Sequence, residues 1–329
     1  MLMQAFVSTI IREDIARIVS ASLPWKNFSG ATVLVTGASG FLPAYMVETL
    51  SYLNKEVLSE PCKIVALVRD IERAEERFKG YPDVEIWQGD VLCPPNIPVN
   101  YILHAASQAS PKFYKTDPVG TLAPNVLGTA RLLDLARRQK DFRGFLFFSS
   151  GEAALHLDPL DIRSCYGESK RMGETMCMAW FRQFGIPVRI VRISHTYGPG
   201  MKLDDGRIFA DFTRDILRGG PITLHSDGTA RRPFLYLADA TLAFFTVLLK
   251  GKEEAYNVAH PDDISVRELA DMLAEIFDLT VERVHRLDTT YVPATIQGTN
   301  PDISKTEALG WSPVTGIKEG FIRTVKSYR

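Results

Sequence analysis

The sequence has few cysteines, no long apolar run and no excess of charge of either sign. Its four cysteines, Cys62, Cys93, Cys165 and Cys177, are scattered along the chain, without the close pairs of a zinc site or the density of a secreted disulfide scaffold. A cytoplasmic location and no metal site are therefore expected. No segment reaches the roughly 20 apolar residues that a membrane helix needs, so no membrane association is expected.

The balance of charge along the chain gives no reason to expect nucleic acid as a partner. The 38 basic and 39 acidic residues leave a formal charge of -1, which gives no overall attraction to nucleic acid. Any anionic ligand must therefore be held by a local site. With 329 residues, 46% of them hydrophobic and 23% charged, the chain can bury a full core, which excludes disordered and fibrous proteins.

Short β-branched runs alternate with helical patterns through the first part of the chain. This alternation predicts an α/β fold with a Rossmann-type, doubly wound parallel sheet whose faces are both covered by helices. The predicted strands are 31–36, 63–68, 84–87, 101–104, 144–149 and 188–193. The chief predicted helices are 42–53, 119–138 and 165–184.

After about residue 195 the pattern breaks into pieces separated by glycine and proline. Helices are predicted near 208–217, 240–249, 265–277 and 317–326, with an extended stretch at 221–224. These pieces predict a smaller mixed C-terminal lobe. We expect an N-terminal helical extension over residues 1–28, a dinucleotide-binding domain over 29–194 and a mainly substrate-binding lobe over 195–329.

The N-terminal segment has apolar residues at helical spacing. Ile10, Ile11, Ile15 and Ile18 predict an amphipathic helix that packs on the domain or on a partner subunit.

A glycine turn follows the first predicted strand, in the segment Val33-Leu-Val-Thr-Gly-Ala-Ser-Gly-Phe-Leu-Pro43. Gly37 permits a tight turn, and Gly40 would let the backbone approach a pyrophosphate at the start of the next helix. Pro43 stands where a third glycine is usual, and proline is tolerated in a first helical turn. A glycine turn alone is weak evidence, because many strand-to-helix turns need one.

The ends of the next two strands offer candidate adenosine contacts. Arg69 could meet a 2′-phosphate and Asp70 a ribose hydroxyl, so NAD and NADP both stay open. Asp90 could receive the adenine amino group, although an aspartate in a surface loop is the simpler interpretation.

A tyrosine and a lysine lie four residues apart on the predicted helix 165–184. Tyr166 and Lys170 therefore emerge from one face, where an ammonium can stabilise a phenolate for general-base work. Ser150, at the end of the preceding strand, could bridge Tyr166 and a sugar oxygen, and Glu152 could point into the same cleft. The simpler alternatives are that Tyr166 and Lys170 lie on a solvated surface and that Ser150 only caps the end of the strand.

Together these features resemble the extended short-chain dehydrogenase/reductase superfamily, in its NAD-dependent epimerase/dehydratase family. The chain is most similar to UDP-glucuronate decarboxylases and nucleotide-sugar 4,6-dehydratases. The stretches that carry the resemblance are 104–111 (HAASQASP), 125–129 (NVLGT), 196–199 (TYGP), 205–207 (DGR), 301–305 (PDISK) and 309–311 (LGW).

The resemblance implies an internal redox cycle on a nucleotide sugar, which is expected to be UDP-linked. The cofactor takes a hydride from sugar C4, a 4-keto intermediate loses a group or inverts a centre, and the hydride returns. Tyr166 would be the base, Lys170 its electrostatic partner and Ser150 the hydroxyl stabiliser. The implied cofactor contacts are Gly37, Ser39, Gly40, Phe41, Leu42, Arg69, Asp90, Val91, Ala105, Ala106, Ser107, Tyr166 and Lys170. The implied substrate contacts are Ser107, Asn125, His195, Arg207 and Arg232.

The triplet Ser150-Gly151-Glu152 bears on the reaction type. Dehydratases of this kind carry an aspartate at the position of Gly151, whereas decarboxylases keep a glutamate at the position of Glu152. A UDP-glucuronate decarboxylase-like enzyme is therefore expected, with a 4-epimerase or 4,6-dehydratase as the alternative. A non-catalytic nucleotide-sugar-binding protein is the alternative of another class.

The sequence also departs from the family pattern. His195 stands for a usual asparagine, Gly200 for a frequent arginine, and Thr299 or Asn300 for expected basic residues. The segment between Glu152 and Cys165 is short, so the sugar site should differ in shape. The family further implies a homodimer, formed by the helices near 119–138 and 165–184.

Overall fold

The computed structural model describes residues 8–284 and 301–329. Its strands are β1 Thr32–Thr36, β2 Lys63–Val68, β3 Val84–Gln88, β4 Tyr101–His104, β5 Gly144–Ser150, β6 Val188–Ile193, β7 His195–Tyr197, β8 Ile222–Leu224, β9 Arg231–Arg232, β10 Phe234–Tyr236, β11 Ala255–Val258, β12 Ile264–Ser265 and β13 Val281–Arg283. Its α-helices are α1 Thr9–Ser20, α2 Phe41–Glu56, α3 Ile71–Phe78, α4 Lys112–Thr116, α5 Pro118–Ala123, α6 Thr129–Arg137, α7 Ser164–Phe184, α8 Ile208–Arg218, α9 Leu237–Lys250, α10 Val266–Phe277, α11 Ser304–Glu307 and α12 Ile317–Lys326.

Seven parallel strands form the main sheet, in the order β11-β6-β5-β4-β1-β2-β3. Successive residues of a strand point to opposite faces. Val33 and Val35 of β1 accordingly belong to the core on one face, which also contains α2 and α9. Leu34 belongs to the core on the other face, with Leu132 of α6 and Cys177 of α7. The predicted fold class is confirmed.

The predicted strands are all present, with ends that differ by one residue at most. The seventh strand, β11, was not predicted, because Ala255-Tyr-Asn-Val258 is too short and too mixed to stand out. It pairs with β6 and comes from beyond residue 194. The part of the chain beyond residue 194, predicted to be mainly a substrate-binding lobe, therefore also contributes a strand to the main sheet.

The predicted helix 119–138 contains a π-helical segment. Helix α5, the π-helical residues Pro124–Gly128 and α6 follow one another without a gap. Pro124 has no N–H to donate to the preceding turn, so the regular hydrogen-bond ladder is interrupted there. The helices α2, α7, α8, α9, α10 and α12 lie within a few residues of their predicted ranges.

The C-terminal part consists of strand pairs and helices. β7 and β10 pair in parallel, with His195 opposite Phe234. β12 pairs with β9, and β13 with β8. Among residues 8–284 and 301–329, no helix has the length and apolarity to cross a bilayer. Thr299 and Asn300 lie outside the described residues.

Helix α1 links the two parts of the chain through a buried carboxylate. The helix packs on α2 and α9, and its Asp14 is 1% exposed. The carboxylate accepts hydrogen bonds from Tyr45 of α2 (3.1 Å), Tyr236 of β10 (2.7 Å) and Arg323 of α12 (2.8 Å). Burial raises the pKa of Asp14, and Tyr236 and Arg323 oppose that change. The predicted amphipathic helix therefore packs on this chain.

Replacing the buried carboxylate should destabilise the fold. We expect Asp14→Ala to lower the free energy of unfolding by about 3 kcal/mol, because Arg323 and two tyrosine hydroxyls lose their buried acceptor. The measurement is urea denaturation. The control is Glu13→Ala, which removes a carboxylate 3.1 Å from the same guanidinium but 53% exposed, and it should change stability by less than about 0.5 kcal/mol. Equal losses in both variants would contradict this account.

Candidate active site

The candidate residues converge where the parallel strands end. The carboxyl ends of β1, β4 and β5 lie side by side in the sheet, and ligands of open α/β sheets bind at this edge. The chain segments that leave these ends are the glycine turn at 37–40, residues 105–107 and residues 150–152. The structure thus brings the predicted cofactor and catalytic segments to one edge.

The glycine turn has little space for side chains. Gly37 has φ +63°, and a Cβ there would lie 2.9 Å from the Cα of Ala106. Gly40 precedes α2 and donates its N–H to the Gly37 carbonyl at 2.7 Å. The N–H groups of Phe41 and Leu42 lie in the first turn, where helical donors have no acceptor within the helix. This backbone suits a phosphate group.

Pro43 does not interrupt α2. It is the third residue of the helix and is buried, at a position where its missing N–H would have had no helical partner. The departure from the usual third glycine is therefore accommodated within the first turn.

A buried histidine connects the strand ends. The Nδ1 atom of His104 is 2.9 Å from the Thr36 hydroxyl, and Nε2 lies 3.2 Å from the Pro124 carbonyl and 3.1 Å from the Thr129 hydroxyl. Burial lowers the pKa of His104 to about 3, and the charge of Lys170 acts in the same direction. His104 is therefore a neutral structural link near the site, a role that the sequence did not reveal.

Ser150, Tyr166 and Lys170 are brought together by the packing of α7 on β5. Lys170 donates from Nζ to the Phe148 carbonyl at 2.6 Å, and its Nζ is 5.8 Å from the centre of the Tyr166 ring. The Ser150 side chain is close enough to Tyr166 to lower the pKa of its phenol. Gly173 permits this approach, because a Cβ there would lie 2.3 Å from the Phe147 ring.

The phenol and the amine are both deprived of solvent. Burial raises the pKa of Tyr166 to about 12 and the charge of Glu152 acts in the same direction, while Ser150 and Arg207 oppose them. Burial lowers the pKa of Lys170 to about 7, and Glu174 opposes that change. Lys170 therefore does not make the phenol acidic by itself in this structure. Ionisation of Tyr166 near neutral pH therefore requires a further positive charge at the site.

Glu152 is largely buried in the short turn Gly151–Ala154. Burial raises the pKa of its carboxyl group, and the charge of Arg163 opposes that change. Its N–H donates to the Ser150 hydroxyl at 3.2 Å. A Cβ on Gly151 would meet nothing within 4 Å, so the space that an acid would need there is open.

Near these strand ends, two of the buried side-chain oxygens of the described residues have no hydrogen-bond partner. They are the Ser107 hydroxyl and the Oδ1 atom of Asn125. The Nδ2 atom of Asn125 donates to the Thr121 carbonyl and to the Ser169 hydroxyl, both at 3.0 Å. Because buried polar atoms are normally paired, these two atoms indicate a polar ligand at this edge. The residues present therefore fit a dinucleotide and a polar substrate.

The three predicted substrate contacts of the C-terminal part lie near one another. The charges of Arg232 and Arg207 act on His195, whose pKa burial lowers to about 3. Arg207 pairs with Asp205, and its guanidinium lies 5.0 Å from the centre of the Phe209 ring. Arg232 is buried. Two guanidinium groups beside a neutral imidazole suit an anionic ligand.

The predicted adenosine contacts lie at the ends of β2 and β3. Arg69 is exposed, and the Asp70 carboxylate caps α3 by accepting the N–H of Arg73 at 3.0 Å. Asp90 accepts the N–H of Leu92 at 2.9 Å, and Val91 is buried. One oxygen of each aspartate therefore has a local structural use.

Tyr114 also lies at the site, although it was not among the predicted site residues. Its ring stacks on that of Tyr166, with centroids 5.2 Å apart and an angle of 13° between the planes. It belongs to α4, which has five residues and is too short for a helical pattern to be recognised. The nearby segment 104–111 was the only sequence signal.

Comparison with known proteins agrees with this arrangement. The profile of the NAD dependent epimerase/dehydratase family matches residues 33–259. UDP-glucuronic acid decarboxylase 6 of Arabidopsis thaliana is 33% identical over 317 residues, which cover 92% of this chain and 90% of that protein. UDP-glucuronic acid decarboxylase 1 of Xenopus tropicalis is 30% identical over 310 residues, which cover 90% of this chain and 72% of that protein.

Solved structures have the same fold. UDP-glucuronic acid 4-epimerase from Bacillus cereus superposes with a TM-score of 0.76 at 22% identity, over 90% of this chain and 98% of that one. UDP-glucose 4-epimerase from Thermotoga maritima superposes with a TM-score of 0.76 at 22% identity, over 91% of this chain and 98% of that one. The family match confirms the predicted resemblance and the predicted NAD cofactor. This chain belongs to the NAD-dependent epimerase/dehydratase family.

Proposed function

We propose that this chain is a decarboxylase of UDP-glucuronate that works through a 4-keto sugar. The observation that carries the proposal is the pairing of an open Gly151 with a buried Glu152 beside Tyr166, in a chain that aligns over 92% of its length with a UDP-glucuronic acid decarboxylase. Without an acid at position 151, loss of water by the usual dehydratase route has no proton donor there.

We assign NAD to the carboxyl edge of the sheet. Gly37, Ser39, Gly40, Phe41 and Leu42 would hold the pyrophosphate at the start of α2. The adenosine would lie toward Arg69, Asp90 and Val91, and the nicotinamide toward Ala105, Ala106, Ser107, Tyr166 and Lys170. Bound there, NAD supplies the chemistry of accepting a hydride and giving it back. NADP is an alternative because Arg69 is free to meet a 2′-phosphate.

Tyr166 is the proposed base at the sugar C4 hydroxyl. The Ser150 hydroxyl, which lowers the pKa of Tyr166, would fix that sugar oxygen, and Lys170 would favour the phenolate by its charge. Once C4 is a ketone, loss of the C5 carboxylate is easier, because the carbonyl delocalises the negative charge that develops.

The substrate would lie across the gap to the C-terminal part. Arg232 would pair with the sugar carboxylate or a phosphate, and Arg207 would contact the nucleotide. Ser107 and Asn125 would use their free buried oxygens on the sugar. His195, kept neutral by burial, would contribute a hydrogen bond without charge.

We also propose the organisation of the chain around this site. Residues 1–28 form a helical extension, residues 29–194 bind the dinucleotide, and residues 195–329 mainly bind substrate. A homodimer would form through the helical surface of α5, the π-helical segment and α7, where Val119, Leu127 and Met172 are 72%, 58% and 49% exposed. A cytoplasmic location is supported by the four cysteines, all described and all unpaired.

The reaction is tested by incubating the protein with NAD and UDP-glucuronate. We expect carbon dioxide and a UDP-pentose, and we expect Tyr166→Phe to lose at least about a thousandfold in rate because the C4 proton has no acceptor. Mass spectrometry of the product separates the alternatives. Unchanged mass with an inverted C4 marks a 4-epimerase, loss of water marks a dehydratase, and binding without turnover marks a non-catalytic protein. Each of these outcomes overturns the proposal.

The cofactor site is tested by Gly37→Ala. A non-glycine residue at positive φ costs about 1–2 kcal/mol, and the new methyl group would press on the backbone of Ala106. NAD binding measured by calorimetry should weaken by at least about tenfold. Gly220→Ala is the matched control, because a Cβ there meets nothing within 4 Å. Equal affinities in the two variants would refute this placement of the pyrophosphate.

The dimer surface is tested by the double variant Val119→Glu/Leu127→Glu. Charges on an apolar interface oppose association, so light scattering should give about twice 36.8 kDa for the unaltered chain and 36.8 kDa for the variant. Val314→Glu places a charge on another exposed apolar residue and should leave the dimer intact. A dimer that survives the double variant would rule out this surface.

A further inference from the structure

A buried carboxylate lies one helical turn beyond Lys170. Glu174 of α7 is 8% exposed. Its Oε1 atom accepts the Ser149 hydroxyl at 2.6 Å and the Nε–H of Arg192 at 2.9 Å, and its Oε2 atom accepts Nη2 of Arg192 at 2.6 Å. Three hydrogen bonds therefore fix this carboxylate in the interior.

The partners of Glu174 are themselves placed by the sheet. Ser149 of β5 and Arg192 of β6 lie opposite each other in the parallel register. A guanidinium that donates two hydrogen bonds to one carboxylate stabilises its negative charge. The same contact raises the pKa of Arg192, so the guanidinium keeps its positive charge. The arrangement holds a negative charge on α7 itself, one turn from Lys170.

That charge acts on Lys170. Burial lowers the pKa of Lys170 to about 7, and the charge of Glu174 is the influence that opposes the loss of its proton. The other titratable groups nearby are His104 of β4, Tyr166 and Cys177 of α7, and Glu152 of the turn after β5. His104 is neutral, and burial raises the pKa of Cys177, so neither supplies a negative charge at neutral pH.

Glu174 also anchors a side chain at the end of β5. Phe148 and Ser149 are bonded in turn to Lys170 and Glu174, and the next residue, Ser150, lowers the pKa of Tyr166. Loss of Glu174 would remove the side-chain bond that holds Ser149, the neighbour of Ser150.

The pair can be reached from outside the proposed active site. A cleft of about 410 Å³ is lined by Glu174 and Arg192, together with Met178 and Arg182 of α7 and Ile190 of β6. A small carboxylate from solution has room to enter such a cleft, which permits a rescue experiment.

We propose that Glu174, held by Arg192, is a positioning residue that keeps Lys170 protonated and fixes the strand end bearing Ser150. This inference rests on the proposed roles of Tyr166, Lys170 and Ser150. Glu174 touches neither substrate nor cofactor in it, and acts through Lys170 and Ser149.

The first test measures Lys170 itself, in the protein without added cofactor. NMR titration of the lysine ε-carbon signals, with Lys170 assigned from Lys170→Arg, gives its protonation midpoint. Glu174→Gln keeps the shape and an acceptor for Ser149 but removes the charge, so the midpoint should fall by about one pH unit. Glu168→Gln removes a carboxylate from the solvent side of the same helix, where it pairs with Arg171 at 3.5 Å, and should leave the midpoint unchanged.

The second test measures turnover against pH. The alkaline limb of kcat should move to lower pH in Glu174→Gln, giving about a tenfold loss at pH 8 that disappears below about pH 5, where Lys170 is protonated in both proteins. Glu174→Asp, which keeps the charge, should restore the position of the limb, and acetate should partly rescue Glu174→Ala. A uniform loss at every pH, with an unchanged Lys170 midpoint, would overturn the proposal and leave Glu174 as a packing residue.

Folding failure of Glu174→Gln would not end the test. Arg192→Gln removes the positive partner and keeps the carboxylate, so the Lys170 midpoint should rise, and a fall would refute the inference. If the unaltered protein turns over no nucleotide sugar, the proposed function fails, while the NMR titration still decides the role of Glu174.

Discussion

The close packing of α7 on the end of β5 is the constraint on which the site depends. Two successive strand residues, Phe148 and Ser149, bond to Lys170 and Glu174 on one helix face, and the next residue, Ser150, lowers the pKa of Tyr166. This contact is possible because Gly173 lets the helix approach the Phe147 ring. It buries an amine, a carboxylate and a phenol in one layer, and burial shifts the pKa values of the amine and the phenol. The proton affinities of the amine and the phenol therefore depend on the packing of α7 on β5, and not on the side chains alone.

Burial shifts the pKa values of the two proposed catalytic groups in opposite directions. It disfavours the phenolate of Tyr166 and the ammonium of Lys170 alike, so neighbouring charges decide how far each group is ionised at neutral pH. Glu174 supplies one such charge from behind the lysine. A positively charged nicotinamide would supply the other from the side of the phenol. The pair would thus become active only when its cofactor site is filled, which keeps the base from acting on solvent.

Much of this arrangement could be predicted from sequence, because it rests on local patterns. The alternation of apolar strands with amphipathic helices predicted the sheet, and the spacing of Tyr166 and Lys170 placed them on one helix face. The glycine turn was recognisable for the same reason, since a tight turn has few solutions. Each of these features needs only residues that are close in the chain.

What the sequence could not give depends on contacts between distant segments. The strand β11 takes its place only by pairing with β6, and Tyr114 gains its importance only from stacking on Tyr166. The bonds of Glu174 to Ser149 and Arg192 join three separate elements. The π-helical segment that begins at Pro124 was readable in principle, because proline interrupts the helical hydrogen-bond ladder, but the apolar periodicity on both sides concealed it.

The acidity of Tyr166 is the property on which the account rests most directly. Ultraviolet difference titration of the unaltered chain against Tyr166→Phe, with and without NAD, reports the ionisation of this phenol alone. The account predicts no phenolate signal below about pH 10 without NAD and a signal below about pH 9 with it, because a positive charge beside a buried phenol favours ionisation. A titration curve that NAD leaves unchanged would contradict it.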